Sequence, residues 1–302
     1  MTQFGLCLVS GASGFLGRRF VNYLEDFCDE IIIIGRNPVR GYNFVYWDLN
    51  EELKPNLVGY DIDTVFHLAG YAHDTSMSEK SSMYERCNAI ATKNLLEASA
   101  GSGAKHFLFV SSAKAGGEGY EVPLDEYQQD LPHGVYGMSK LLGEQHLKSA
   151  GYKDIAISIL RPTLMYGPNL KGNLAKMRNA IVQGWFPRPP RDIPGLKSMV
   201  HVDDCVRALV HLRTYIGKGV ETFYLTDGCE YSAYDIDSAL SSGSTLFRIQ
   251  FPKWFVDLGF KIPFLKRKLA KMYGFNLYSS QKIKSTGFSC VGSILDLDRE
   301  LF

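Results

Sequence analysis

Long apolar runs are missing from this sequence of 302 residues. No stretch reaches the ~18 consecutive apolar residues of a membrane-spanning helix, so we expect no transmembrane segment. The first residues lead directly into a strand-like run, and we expect no signal peptide. Internal repeats and low-complexity segments are also absent. The chain is therefore expected to fold as one large globular domain or two small ones.

A strong charge of either sign is missing as well. The 33 Lys and Arg residues nearly balance the 32 Asp and Glu residues, for a net charge of +1. This balance gives no indication of nucleic-acid binding. The six cysteines lack the spacing of a metal site, so we expect no metal. Several of them stand in apolar stretches and are predicted to be buried free thiols in a reducing cytoplasm.

The most informative stretch near the start is a glycine-rich turn between a strand and a helix. Phe4 to Ser10 is an apolar run typical of a buried parallel strand. The turn after it reads GASGFLG. Its glycines would permit a tight turn, the approach of backbone amides to a pyrophosphate, and close packing of helix on strand. We predict a dinucleotide-binding loop made of Gly11, Ser13, Gly14, Phe15, Leu16 and Gly17.

The second predicted strand, Ile31 to Ile34, ends just before Arg36. The end of this strand normally meets the adenosine ribose, where an acidic residue binds the 2′-hydroxyl of NAD and an arginine can bind the 2′-phosphate of NADP. Here the acid is absent and Arg36 is present. The sequence leaves two alternatives open: Arg36 binds the phosphate of NADP, or it stacks on the adenine of NAD.

Strands alternate with helices through the first half of the chain. This alternation predicts an α/β fold with a doubly wound parallel sheet of the Rossmann type. Ligands bind such sheets at the carboxyl ends of the strands. Residues that suit a ligand site come just after successive predicted strands, and we expect them to line one site: Gly11, Arg36, Asp48, Ala69, Ser112 and Pro162.

Beyond Pro162 the pattern changes to short segments interrupted by proline and glycine. We predict a dinucleotide-binding domain over residues 1–165, to which residues 198–226 return. A smaller, mixed α/β substrate-binding region is predicted for 166–197 and 227–302.

Tyr136 and Lys140 are four residues apart in a predicted helix, so they would lie on one face of it. A free tyrosine titrates near pH ~10, and a nearby cation lowers that pKa. Such a pair could move a proton to or from a hydroxyl or a carbonyl. A half-buried tyrosine beside a solvated lysine has the same spacing, so the rest of the chain has to support the catalytic interpretation.

Seven stretches of the chain carry a resemblance to a known family. In order they are GASGFLG (11–17), DTVFHLAG (63–70), CNAIATKNLLEAS (87–99), FLFVSSAKAGGE (107–118), YGMSK (136–140), RPTLMYGPNLKGN (161–173) and SMVHVDD (198–204). In these motifs and their order the sequence resembles the extended short-chain dehydrogenase/reductases, in particular the UDP-glucose 4-epimerase-like group of the NAD-dependent sugar-nucleotide epimerase/dehydratase family. The motifs are more specific for the superfamily than for the reaction.

The resemblance implies a role for each matching residue. Tyr136 would be the catalytic acid/base, Lys140 would bind the nicotinamide ribose and lower the tyrosine pKa, and Ser112 would hydrogen-bond the reacting sugar oxygen. Besides Tyr136, Lys140, the glycine loop and Arg36, the predicted cofactor contacts are Asp48, Leu49, Leu68, Ala69, Gly70, Asn88 and Pro162. The predicted substrate contacts are Ser111, Ser112, Asn173, Arg191 and Lys197. Many relatives carry an arginine where Lys197 stands, and lysine lacks the bidentate fork.

The residues just after the fifth strand narrow the choice of reaction. Dehydratases of this group carry Thr-Asp-Glu there, and the acids remove a hydroxyl, whereas this chain has Ser112-Ala113-Lys114. A 4-epimerase of a UDP-hexose or UDP-N-acetylhexosamine with bound NAD, in surface polysaccharide synthesis, is the favoured prediction. An NAD(P)H-dependent reductase of a 4-keto sugar nucleotide is the alternative. A non-catalytic dinucleotide-binding sensor is a third possibility, although such proteins tend to lose the tyrosine or the lysine.

Residues 251–273 are rich in aromatic and basic side chains. They predict either a basic amphipathic helix on the inner face of an anionic membrane, or a helix pair that covers the substrate region with a solvated basic face. The expected partners are a nucleotide-sugar substrate and, because relatives often dimerise, a second copy of the chain. The expected location is the cytoplasm, with possible peripheral contact to the membrane.

Overall fold

The computed structural model of the chain describes residues 3–72, 81–128, 130–215, 219–241 and 247–295. Within these ranges the strands are β1 (Phe4–Ser10), β2 (Cys28–Gly35), β3 (Asn43–Tyr46), β4 (Ile62–His67), β5 (His106–Val110), β6 (Ala156–Pro162), β7 (Leu164–Tyr166), β8 (Leu196–His201), β9 (Val220–Leu225) and β10 (Glu230–Ser232). The α-helices are α1 (Phe15–Leu24), α2 (Ser81–Glu85), α3 (Ala91–Ala100), α4 (Val135–Ser149), α5 (Gly172–Val182), α6 (Val202–Thr214), α7 (Ala233–Leu240), α8 (Lys253–Phe260), α9 (Pro263–Tyr273) and α10 (Gln281–Ser285).

Seven of the described strands form one parallel sheet in the order β3-β2-β1-β4-β5-β6-β9. The order reverses between β1 and β4, where the chain crosses from one half of the sheet to the other. The centre of β2 shows why this sheet is sandwiched: Ile31 to Ile34 are all buried although successive side chains point to opposite faces. The predicted doubly wound parallel sheet is confirmed.

Helices cover both faces of this sheet and enclose two apolar cores. On one face α1 and α6 pack through side chains such as Phe20 and Leu209. On the other face α3 and α4 pack through Leu95 and Leu147. The carboxyl edge of the sheet lies between the two layers, and sheets of this architecture bind ligands at that edge.

The second sheet is small and mixed, with three described strands in the order β10-β8-β7. The sequence predicts that 198–226 returns to the Rossmann domain, but β8 pairs with β7 and β10 instead. The physical reason is that β7 follows β6 directly and offers β8 a partner outside the large sheet. The rest of the range does belong to the large sheet, because α6 lies in its core and β9 is its edge strand.

The C-terminal part contributes to both regions. The helices α8 and α9 lie against one another and share a small apolar cluster with Ile193 and Ala233. Further on, Ile283 of α10 and Phe288 pack into the core on the α1–α6 face of the large sheet. The range 227–302 therefore does not serve the substrate region alone. No helix within the described ranges is long and apolar enough to cross a membrane.

We expect Ile283→Ala to lower the free energy of unfolding by about 2–5 kcal/mol, as for other buried isoleucines, because Ile283 is 0% exposed. Ile249→Ala is the matched control, since Ile249 is 67% exposed and its truncation should change the free energy by less than about 0.5 kcal/mol. Urea denaturation measures both. Equal effects would show that α10 does not share the core of the large sheet.

Candidate active site

The glycine loop between β1 and α1 has no room for side chains at two of its positions. Gly11 has φ +77°, and a Cβ there would lie 2.6 Å from the backbone nitrogen of Ala69. A Cβ on Gly17 would lie 2.0 Å from the carbonyl oxygen of Gly11. The loop is therefore drawn tightly against both the end of β4 and the first turn of α1.

The start of α1 has the features of an anion-binding helix N-terminus. Gly14 is the N-cap residue, no side chain caps the helix, and its first turn contains no acid. The first backbone N–H groups of a helix lack partners within it and carry partial positive charge, which suits a phosphate. Ser13 is exposed beside them, Phe15 is half-buried, and Leu16 faces the core. The residues present thus fit the pyrophosphate of a dinucleotide.

A row of hydrogen-bonded, buried polar side chains joins β1 to β4 under this loop. Ser10 Oγ lies 2.6 Å from His67 Nδ1, and His67 Nε2 lies 3.0 Å from Thr92 Oγ1. The Ala69 backbone N–H donates to Ser10 Oγ at 3.2 Å. Burial lowers the pKa of His67 to about 3, so the imidazole is neutral at pH 7. These hydrogen bonds hold residues 68–70, which are predicted cofactor contacts, beside the glycine loop.

Arg36 is exposed directly after β2, and two further charged residues stand near the same end of the sheet. Asp48, Arg86 and Arg36 all lie close enough to Cys87 to act on its pKa, which burial raises. Arg86 is a residue that sequence reasoning missed, and within the described chain its buried Nε has no hydrogen-bond partner. Asp48 accepts from the Asn50 N–H at 3.0 Å, and Leu49 packs on the core behind it.

The helical segment from Ser81 to Ala100 is not one regular α-helix. A π-helical turn, Arg86–Ile90, separates α2 from α3, and such turns are common at functional sites. It turns the Asn88 side chain towards the loop after β4, where Oδ1 accepts from Tyr71 N–H at 2.7 Å. Asn88 Nδ2 donates to the Tyr71 carbonyl and to Ser139 Oγ, both at 2.9 Å. Asn88 is thereby a brace between α4 and the loop after β4.

Lys140 reaches the same loop from α4. A Cβ on Gly70 would lie 2.9 Å from Lys140 Nζ and 2.8 Å from Asn88 Oδ1, so only glycine allows this approach. Nζ donates to the Val110 carbonyl at 2.9 Å and lies 4.7 Å from the centroid of the Phe109 ring. Burial lowers the pKa of Lys140 to about 8, which leaves a cation that can release its proton near neutral pH.

Tyr136 stands one turn before Lys140, and the Ser112 side chain lies close enough to the phenol to act on its pKa. Its ring meets the buried Tyr84 edge-on at a centroid distance of 6.3 Å. Burial raises the Tyr136 pKa, the neighbouring Ser112 hydroxyl lowers it, and Tyr84 raises it. The sequence predicts that Lys140 lowers the Tyr136 pKa, but the structure shows no such effect. The reason is that Lys140 Nζ donates to the Val110 carbonyl and not to the phenol. Ser112 and Tyr136 nevertheless lie beside one another.

Ser111 does not join them. Its hydroxyl donates to Glu144 Oε1 at 2.6 Å in the buried interior. The same carboxylate accepts hydrogen bonds from Arg161 Nε at 2.9 Å and from Arg161 Nη2 at 2.6 Å. Arg161 Nη1 donates to Tyr224 OH at 2.9 Å. Sequence reasoning missed Glu144, although it stands four residues after Lys140 and so lies on the same helix face.

The predicted substrate contacts lie on separate elements of the smaller region. Asn173 is exposed in the first turn of α5. Lys197 Nζ donates to the Gly274 carbonyl at 3.1 Å, and burial lowers the Lys197 pKa to about 8. Arg191 donates to Tyr234 OH at 2.7 Å, and Arg188 donates to the same oxygen at 2.9 Å. Two guanidinium groups on one phenol make a cationic site, and Arg188 had no signal in the sequence.

A doubly wound sheet with a tight glycine-rich loop at an uncapped helix start, and with Ser112, Tyr136 and Lys140 at its carboxyl edge, is the arrangement of a short-chain dehydrogenase/reductase. The profile of the NAD dependent epimerase/dehydratase family matches residues 7–223. The chain belongs to this family. The membership confirms the predicted resemblance and the prediction of an NAD-dependent enzyme.

Similar proteins agree with this placement. The chain is 29% identical over 262 residues to a UDP-glucose 4-epimerase of Vibrio cholerae, covering 82% of this chain and 79% of that protein. It is 28% identical over 228 residues to an N-acetyl-alpha-D-glucosaminyl-diphospho-ditrans,octacis-undecaprenol 4-epimerase of Escherichia coli O157:H7, covering 73% and 66%. A solved UDP-glucose 4-epimerase of Thermotoga maritima with UDP-glucose superposes with a TM-score of 0.77 at 22% identity, covering 96% and 95%.

We expect Glu144→Gln to cost about 3–5 kcal/mol of stability, because it leaves the buried Arg161 without an anionic partner. Lys148→Gln is the control. Lys148 Nζ lies 3.6 Å from the same carboxylate but its side chain is 43% exposed, so its loss should cost less than about 1 kcal/mol. Chemical denaturation compares the two variants, and similar costs would contradict the role given to the Glu144–Arg161 pair.

Proposed function

We propose that the protein is a UDP-hexose or UDP-N-acetylhexosamine 4-epimerase that uses bound NAD and the side chains of Ser112, Tyr136 and Lys140. The observation that carries the proposal is that the hydroxyl groups of Ser112 and Tyr136 lie beside one another at the carboxyl edge of the sheet, where Ser112 lowers the Tyr136 pKa. Two hydroxyl groups that meet there can both contact one substrate oxygen. The family membership and the two relatives named as 4-epimerases support the same reaction.

The chain's residues would divide the work at that oxygen. As a phenolate, Tyr136 would accept the proton of the 4-hydroxyl while hydride leaves C4, and as a phenol it would return that proton when hydride comes back; Ser112 would hydrogen-bond the same oxygen in both steps. Burial disfavours the phenolate that the first step needs, and the positive charge of Lys140 is proposed to offset part of that cost when cofactor and substrate are bound. Lys140, next to Gly70, would bind the nicotinamide ribose. NAD, when bound, supplies a reversible acceptor for the hydrogen at C4.

The substrate's diphosphate would be bound by cations of the smaller region. Arg188 and Arg191 share Tyr234 and present two guanidinium groups, and arginine suits diphosphate because of its fork of donors. Asn173 and Lys197 are proposed to join them. The carrier is proposed to be UDP, although one relative is named for a sugar on undecaprenyl diphosphate. A homodimer and a role in surface polysaccharide synthesis in the cytoplasm belong to the same proposal and rest on the family resemblance.

A second candidate is a reductase of a 4-keto sugar nucleotide. The observation that favours it is the pair Arg36 and Arg86 around Cys87, at the end of the site where the adenosine would lie. Two arginines there suit a 2′-phosphate, and a released NADPH serves reduction. The same Ser112 and Tyr136 would then deliver a proton once instead of moving it in both directions.

One incubation separates the two candidates. We expect the purified protein to interconvert UDP-glucose with UDP-galactose, or UDP-GlcNAc with UDP-GalNAc, without any added reductant. Chromatography of the nucleotide sugars measures the conversion. Turnover that requires a 4-keto substrate and stoichiometric NADPH would contradict the epimerase and support the reductase.

We expect Tyr136→Phe to lower turnover on the order of 10²–10⁴-fold, the usual contribution of a general acid/base, while the affinity for NAD changes little. Tyr127→Phe is the matched control, because the Tyr127 side chain is 88% exposed. Cofactor binding is measured by calorimetry beside the conversion assay. A Tyr136→Phe variant with full activity would contradict the proposed proton transfer by Tyr136. Wild-type protein that binds NAD but converts no substrate would favour the non-catalytic sensor.

A further inference from the structure

The helices α8 and α9 carry large apolar side chains on their outer side. One side of the pair is buried: Val256, Leu269 and Tyr273 pack on Ile193. The outer side shows Trp254 at 65%, Phe255 at 46%, Leu258 at 51% and Phe264 at 72% exposure. We name these four residues, together with Lys261, Lys266 and Lys268, the hairpin surface. Contiguous apolar groups of this size on a protein surface mark an interaction site.

The same segment is strongly basic. Between residues 251 and 273 it has five lysines and one arginine against a single acid, Asp257. That acid already pairs with Lys253 at 3.6 Å. Lys261, Lys266 and Lys268 are exposed, and Lys268 stands one helical turn after Phe264, on the same face. The outer side thus combines aromatic rings with positive charge.

Additional exposed apolar residues extend the hairpin surface towards the candidate diphosphate site. Phe247 and Ile249 precede α8 and are 94% and 67% exposed. The Arg188 backbone N–H donates to the Ile249 carbonyl at 2.9 Å. Trp185, 80% exposed, lies just before this link. The segment that carries Arg188 is therefore attached directly to the edge of the surface.

The chemistry of the surface decides what covers it. A second copy of the chain, bound through the same patch on both partners, would bring two strongly basic segments together, because a two-fold interface pairs a surface with itself. An anionic bilayer instead offers phosphates to the lysines and an apolar layer to the rings. Charge complementarity therefore favours the bilayer.

We propose that the hairpin surface binds the surface of an anionic phospholipid bilayer. Trp254, Phe255, Leu258 and Phe264 enter the boundary between headgroups and acyl chains, and the lysines contact the lipid phosphates. Such docking holds Arg188 beside the headgroup layer. The proposal does not depend on the reaction catalysed, since it concerns residues that lie outside the Ser112–Tyr136 site.

Co-sedimentation with vesicles tests this docking. We expect the full chain to pellet with vesicles of phosphatidylcholine containing phosphatidylglycerol, and much less with vesicles of phosphatidylcholine alone. Raising the salt from about 0.05 M to about 0.5 M should release most of the protein, because salt screens charges at the membrane surface. No pelleting with the anionic vesicles at low salt would overturn the proposal.

Two double variants separate the apolar from the electrostatic part. Trp254→Ser with Phe264→Ser, and Lys266→Glu with Lys268→Glu, should each weaken binding to the anionic vesicles at least tenfold. Tyr127→Ser and Lys153→Glu are the controls, because they change an exposed aromatic and an exposed lysine outside the hairpin surface. Circular dichroism shows whether each variant is folded.

Two further outcomes of these experiments would contradict the proposed membrane docking. Equal binding by the hairpin variants and the controls would overturn the proposal. So would a hairpin variant that turns a dimer into a monomer in ultracentrifugation while the wild-type protein ignores vesicles, since the surface would then pair two copies. Conversion of a UDP-sugar in solution should be unchanged in the hairpin variants, so a failed docking experiment and a failed epimerase assay remain distinguishable.

Discussion

The position of Tyr136 and Lys140 depends on a carboxylate that is shielded from water. Glu144 comes after them on α4 and receives two hydrogen bonds from Arg161 of β6 and one from Ser111 at the end of β5. Arg161 in turn binds Tyr224 of β9. Removing a carboxylate from water is costly unless its partners are well aligned. The Glu144–Arg161 pair therefore restricts the position of α4 relative to the sheet. This restriction keeps the Tyr136 phenol and the Lys140 ammonium at the edge of the sheet.

Close backbone approach is the second constraint on the site. Gly11, Gly17 and Gly70 each stand where a Cβ would collide with a backbone or polar atom. At Gly70 the missing side chain lets Lys140 and Asn88 reach the loop after β4, and at Gly11 it lets that loop touch β1. The glycine-rich loop after β1 and the helix α4 are therefore parts of one packed arrangement. Burial in this arrangement determines the pKa values of its ionisable groups. The lowered Lys140 pKa and the raised Tyr136 pKa both have burial as their largest cause.

Much of the fold could be predicted because its signals are local. Strand β2 is apolar on both faces, the GASGFLG turn stands between a strand and a helix, and Tyr136 and Lys140 have helical spacing. The missed features are contacts between distant segments. Nothing in the sequence around Arg86–Ile90 distinguishes a π-helical turn from a regular helix, and the direction of the Asn88 side chain is set by that turn. Arg188 and Tyr234 are 46 residues apart, so their contact had no local signal.

The sequence by itself determined the class of the fold, the glycine-rich turn between β1 and α1, and the position of Tyr136 and Lys140 one turn apart on a helix, because these depend on residue type and spacing within single elements. Only the tertiary structure decided between the neighbouring hydroxyls Ser111 and Ser112, which point to the buried Glu144 and to Tyr136 respectively. It also decided that Lys140 binds the Val110 carbonyl and that Ile283 returns to the core of the large sheet. The physical reason is the same in each case: the direction of a side chain at the end of a strand, and the pKa of a buried group, depend on which distant segments pack around them.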